Sequence, residues 1–173
     1  MIILIIGLGS IGKRHVQAIN KIRPDAIIYA LRSKLHSPVI PGIINVYDLY
    51  EIDRKIDFVI ISNPTVFHEE TIIKCFNLSC PLFIEKPVVS DLRNSKFISD
   101  KISKIVTYTG CNMRFHPSIR YFKDNIFDKL SKINEINIYA GSYLPDWRPG
   151  RNFREIYSSN SELGGGVNLD LIH

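Results

Sequence analysis

Five consecutive aliphatic side chains, Ile2-Ile3-Leu4-Ile5-Ile6, leave no polar face on the first segment of the chain. That pattern predicts a strand buried on both sides, as in the middle of a parallel sheet. Apolar runs recur and predict further strands over 25–30, 43–46, 57–62, 82–84 and 104–110. Between them, helical spacing predicts helices over 13–20 and 68–77, a weak helix around 48–55, and a helix running from a cap at Ser90-Asp91 to about Ser103. Pro24 ends the first of these before the second strand begins. About six strands with intervening helices make an α/β protein with a doubly wound parallel sheet. After Arg114-Phe115-His116-Pro117 the pattern changes. Residues 118–130 carry Ile119, Phe122, Ile126, Phe127 and Leu130 at helical spacing. Residues 133–143 alternate apolar and polar, which predicts a strand with one face covered. The expected division is a nucleotide-binding domain over 1–117 and the beginning of a C-terminal α/β (α+β) domain over 118–173.

The first strand stops at Gly7-Leu8-Gly9-Ser10-Ile11-Gly12, which is G-x-G-x-x-G. Strand, glycine turn and helix are the setting in which this motif binds a dinucleotide on a Rossmann sheet. Gly7 allows the tight turn, Gly9 lets a pyrophosphate approach the backbone, and Gly12 lets the helix lie close to the strand. Ser10 and Ile11 belong to the same cofactor-binding turn, whose helix offers free N–H groups to the phosphates. An acidic residue after the second strand would take the ribose 2′-hydroxyl of NAD. Here that place holds Leu31-Arg32-Ser33-Lys34, with no carboxylate. Arg32 and Ser33 suit a 2′-phosphate, so the expected cofactor is NADP in preference to NAD. The alternative is a solvated turn with incidental basic residues.

In an open α/β sheet, ligands sit at the carboxyl ends of the strands. Asn63, Thr65 and His68 follow one such strand, and Glu85-Lys86-Pro87 follows another. Lys86 can donate to a substrate hydroxyl or carbonyl, and Pro87 restricts its backbone and suits a cis bond. Asn-Pro-Thr is equally a good turn and cap, and Lys86 equally a surface lysine. Arg148, Arg151 and Arg154 lie in and just after the loop L-P-D-W-R-P-G-R and can meet an acidic substrate bidentately; a solvated loop with Trp147 beneath it is the plain alternative.

Charge changes this picture little. The net charge of +5, from 22 basic and 17 acidic residues, is spread along the chain. It suits an anionic ligand but is no nucleic-acid signature. No apolar run reaches a membrane span, and the first segment reads as a strand rather than a signal peptide. Cys75, Cys80 and Cys111 show no metal spacing and are expected to be reduced thiols in a cytoplasmic protein, with no metal site.

Several motifs fall together in one order: G-L-G-S-I-G with His15 in the next helix, N-P-T-x-x-H at 63–68, E-K-P at 85–87, and G-G-G-V-N-L-D-L-I-H at 164–173. This resembles the Gfo/Idh/MocA oxidoreductases, and the 144–151 loop is similar to a branch found in surface-polysaccharide and sugar biosynthesis. The resemblance implies an N-terminal Rossmann domain, a C-terminal domain with a large open sheet, and hydride transfer between a nicotinamide and a sugar or polyol carbon. It implies that Lys86 binds substrate and stabilises oxyanion charge, that Asp170 is the acid that orients it, and that His173 is the acid/base. It also implies a small sugar-type substrate and a homo-oligomer of the full-length form. Two departures stand out. The histidine follows Asp170 by three residues rather than the four common in the family, and members are considerably longer, so the chain reads as an N-terminal portion. Two other readings are a non-catalytic dinucleotide-binding module and a structural fragment that binds nothing.

Overall fold

The computed structural model describes residues 1–139 and 141–170. Six strands, β1 (Ile2–Ile6), β2 (Ile27–Leu31), β3 (Ile43–Val46), β4 (Phe58–Ile61), β5 (Leu82–Ile84) and β6 (Thr107–Thr109), form one sheet in the order β3-β2-β1-β4-β5-β6. Every pairing is parallel, and β1 lies between β2 and β4, with Ile5 opposite Ala30 on one side and Ile60 on the other. The strand order reverses at β1 and β4, so the crevice for a ligand opens beyond their carboxyl ends.

Alternation along β1 explains its composition. Leu4 and Ile6 join Val59, Ile61, Leu82 and Ile84 in a core closed by Ile72 and Cys75 of helix α2 (His68–Phe76) and Ile98 of α3 (Ser95–Ile102). Ile3 and Ile5 face the other way, with Ile28, Ala30 and Ile60, under Val16 and Ile19 of α1 (Ser10–Ile22). Both faces are covered from Ile3 to Ile6, so these positions do not tolerate a polar side chain. Burial pushes the Cys75 thiol up to about 12, which leaves it an inert core group.

Elsewhere the structure departs from the expected elements. The weak helix over 48–55 is a single 3-10 turn, Leu49–Glu51, held by an Asp48 and Glu51 capping box. Asp91 does not open α3; its carboxylate accepts from the Arg93 N–H at 2.7 Å, and the helix starts four residues later at Ser95. The helix over 118–130 splits into α4 (Pro117–Asn125) and a 3-10 turn, Phe127–Lys129, because Ile126 leaves the helical conformation at φ −120. The strand over 133–143 is corrected: among its described residues none is in a strand. Among the described residues no neighbouring strand pairs with this segment, and alternation alone cannot make a ladder. The residues from Leu144 onward form short 3-10 turns and then α5 (Val167–Asp170).

Candidate active site

The turns after β1, β4 and β5, the first turns of α1 and the 144–170 segment enclose a cavity of about 650 Å³. The three glycines of the first turn do different things. Gly7 has φ +89, and a side chain there would run into the backbone of Asn63. At Gly12 an added Cβ would strike the Gly7 carbonyl, so α1 rests directly on the turn. At Gly9 an added Cβ would meet nothing within 4 Å. The protein leaves that space open, and it lies at the start of α1, where no side chain caps the helix. Free first-turn N–H groups beside an open approach suit a diphosphate. Ser62 buttresses the turn, its hydroxyl donating to the Gly7 carbonyl at 2.7 Å.

Asn63, Glu85, Lys86 and Asp170 are brought to the same cavity as Gly9, Ser10 and Ile11. Asn63 donates through Nδ2 to Thr71 Oγ1 at 2.8 Å, and its buried Oδ1 has no hydrogen-bond partner. A buried acceptor left unpaired at a ligand crevice fits a donor that arrives with the ligand. Glu85 meets His15 Nε2 at 2.7 Å. Lys86, joined to Pro87 by a cis bond, donates to Asp170 twice, at 2.9 Å to its carbonyl and 3.3 Å to Oδ1. His173 lies outside the described residues.

Other expected residues are placed differently. Arg32 and Ser33 follow β2 and do not line the cavity, although Arg32 Nη1 is buried and unpaired. His68 borders the cavity but is only 1% exposed. Its Nδ1 faces the Pro87 carbonyl and its Nε2 the Asn63 carbonyl, each at 2.9 Å. A neutral imidazole carries one N–H, so His68 donates to one of these carbonyls and only packs its other nitrogen against the second. Thr65 is also buried, its hydroxyl 2.7 Å from that of Tyr157. Two of the three arginines share a place: Arg148, which donates to Ser10 Oγ at 3.2 Å, and Arg151 both line an adjoining cavity of about 600 Å³, whereas Arg154 stacks over the Phe153 ring at 4.5 Å. Tyr157 carried no signal of its own in the sequence, because its partner lies 92 residues away; His15 and Glu85 each stood in a motif, but their pairing across 70 residues did not show.

Burial holds the His68 imidazole below its ordinary 6.5, against the smaller pull of the Asn63 and Pro87 carbonyls. The unfolded chain therefore takes up this proton at higher pH than the folded one. Stability rises with pH across that interval and is lost as the pH falls from 6.5 toward the folded value, by up to about 1.4 kcal/mol per pH unit. Urea midpoints at pH 7.5 and 5.5 test this: His68→Asn is expected to lessen the difference, and an unchanged difference would assign it to other groups.

Residues 1–106 match the model of the Gfo/Idh/MocA family, an oxidoreductase family with an NAD-binding Rossmann fold, and the chain belongs to that family. The myo-inositol 2-dehydrogenase of Thermotoga maritima is 29% identical over 132 residues, 70% of this chain and 39% of the relative. The scyllo-inositol 2-dehydrogenase (NAD(+)) of Bacillus subtilis is 37% identical over 75 residues, 41% of this chain and 22% of the relative. The crystal structure of myo-inositol 2-dehydrogenase from Lactobacillus plantarum superposes with a TM-score of 0.64 at 25% identity, covering 74% of this chain and 41% of that one. The chain thus spans about 39% of the length of the first of these relatives. No helix among the described residues is long and apolar enough to cross a membrane.

Proposed function

We propose that this chain carries the cofactor site and part of the catalytic site of a nicotinamide-dependent oxidoreductase acting on a CH–OH carbon of a sugar or polyol. The observation that carries this reading is the contact of Lys86 with Asp170 across the cavity that opens at Gly9. A bound nicotinamide dinucleotide supplies or accepts the hydride. The chain's own residues handle the oxygen and its proton. Two of the three donors on the Lys86 ammonium are engaged by Asp170; the third has no partner among the described residues, and with it Lys86 meets a substrate oxygen and stabilises developing negative charge. Asp170 orients that ammonium, and His173 takes or returns the proton. Gly7, Gly9, Ser10, Ile11 and Gly12 form the phosphate turn, with Asn63 and Glu85 beside it. Arg148, already against Ser10, adds a cation at the same place. The inositol dehydrogenases among its relatives support a neutral polyol or sugar as substrate. In this reading residues 118–173 begin a second domain, and the full-length protein assembles with its own copies.

Titration with NADPH and NADH, followed by nicotinamide fluorescence, tests the reading. Saturable binding is expected; a folded chain that binds neither would leave a module without cofactor. The preferred form is NADP, on the ground that β2 is followed by Arg32 and Ser33 rather than a carboxylate. Arg32→Asp is expected to move the NADPH-to-NADH affinity ratio toward NADH by about tenfold, the loss of one charge-assisted phosphate contact. An unmoved ratio would remove Arg32 from the 2′ position.

A further inference from the structure

Among the described residues, hydrogen bonds join the 144–170 segment to the sheet half at three places. Arg148 meets Ser10, Asp170 meets Lys86, and Tyr157 meets Thr65. The third link has a distinctive geometry. Tyr157 Oη lies 2.8 Å from the Gly164 carbonyl and 2.7 Å from Thr65 Oγ1. A carbonyl only accepts, so the tyrosine proton goes to Gly164 and the Thr65 hydroxyl donates to Tyr157. One arrangement of protons satisfies all three groups, two of which, Thr65 and Gly164, are buried.

Gly164 is also pressed against the sheet half. It has φ +86, and an added Cβ would sit 2.8 Å from Thr65 Cβ. The next two glycines wrap onto the turn that carries Tyr157: Gly165 N donates to the Asn160 carbonyl at 2.9 Å and Gly166 N to the Ser158 carbonyl at 3.0 Å. The Gly166 carbonyl then accepts from Asp170 N at 2.9 Å, the bond that opens α5. The place of Thr65, at the end of β4, is thereby passed through one phenol and one tight glycine turn to the residue that meets Lys86.

We infer that Tyr157 is a positioning residue whose hydroxyl, held between Thr65 and Gly164, sets Asp170 against Lys86. The inference deepens the reading of Lys86 and Asp170 as parts of one active site. Its geometry, however, belongs to the chain alone and needs no nucleotide.

The test is trace acetylation of the nucleotide-free chain with acetic anhydride, read by peptide mass spectrometry, with exposed Lys21 as internal reference. Asp170→Ala removes the carboxylate and sets the level of a Lys86 held only by the main-chain carbonyl of that residue. Tyr157→Phe is expected to raise Lys86 acetylation relative to Lys21 by about fivefold, the scale of losing one net hydrogen bond. Thr65→Val should do the same, and Thr65→Ser, which keeps the hydroxyl, should restore the protection. Tyr157→Phe combined with Asp170→Ala should add less than Tyr157→Phe does in the parent, because only the carbonyl contact is left to displace.

Parent-like protection in Tyr157→Phe would overturn the inference. So would loss of protection in Thr65→Ser, which would make packing rather than the hydroxyl responsible. A matching rise at Lys101, half-buried over Phe76 and Phe97, would mean general loosening and would equally overturn it. An Asp170→Ala chain with unchanged Lys86 labelling would show that the carboxylate does not hold Lys86 in solution and would overturn the inference. Nucleotide titration of the same variants stands apart: failure to bind NADPH or NADH would count against the proposed function and leave the acetylation result as it is.

Discussion

Gly9→Ala is expected to fold as the parent chain does and to bind NADPH or NADH about 30-fold more weakly, close to 2 kcal/mol. The first half of that statement comes from the protein alone. An added Cβ at Gly9 meets no heavy atom within 4 Å, and the residue shows no left-handed φ, so alanine fits without strain. The second half comes from where the methyl points. It enters the open approach to α1, where the first-turn N–H groups have no side-chain cap and a pyrophosphate would close on the backbone. Circular dichroism and urea unfolding should be unchanged while the dissociation constant rises. Unchanged affinity in a folded Gly9→Ala chain would mean that phosphates do not pass this turn.

Gly12→Ala should do the opposite and destabilise the fold itself by about 3 kcal/mol, the upper range for overpacking a tight contact. Its added Cβ would collide with the Gly7 carbonyl and come within 3.1 Å of Ser62 Oγ. The carbonyl is backbone and cannot swing aside. It is also the acceptor of the Ser62 hydroxyl, so moving it strains the join between β1 and β4 as well. Urea denaturation gives the measurement, and a loss below about 1 kcal/mol would show that α1 can lift from the turn with little strain. Two glycines three residues apart in one motif thus separate a ligand role from a packing role.

The sheet was legible because its cause is local. Five aliphatics running into closely spaced glycines fit a doubly buried strand that enters a turn, and β1, β3 and β5 fall where their apolar runs lie. Residues 133–143 show the limit of the same reasoning. Their alternation is compatible with a strand, but strand structure depends on a partner that the alternating residues do not contain. The site divides in the same way. The glycine turn declared itself through spacing, whereas Lys86 and Asp170, 84 residues apart, were brought to one place by resemblance and then by geometry. His68 could be assigned to the crevice from its position after β4, but the sequence cannot tell which way an imidazole turns. In the structure it lies between two main-chain carbonyls, to one of which the neutral ring donates.

The position of β1 has a consequence during synthesis. It is the most apolar strand and is made before both of its neighbours, β2 and β4, which come later in the chain. Its second edge cannot be covered until Phe58–Ile61 has left the ribosome, roughly 3–10 s later at ordinary elongation rates. For that interval Ile2–Ile6 is a short, uncharged, β-prone segment with an open edge, the kind that pairs with other chains. Holding factors that bind nascent apolar segments are therefore expected to act on this chain early, and to release it once β4 docks.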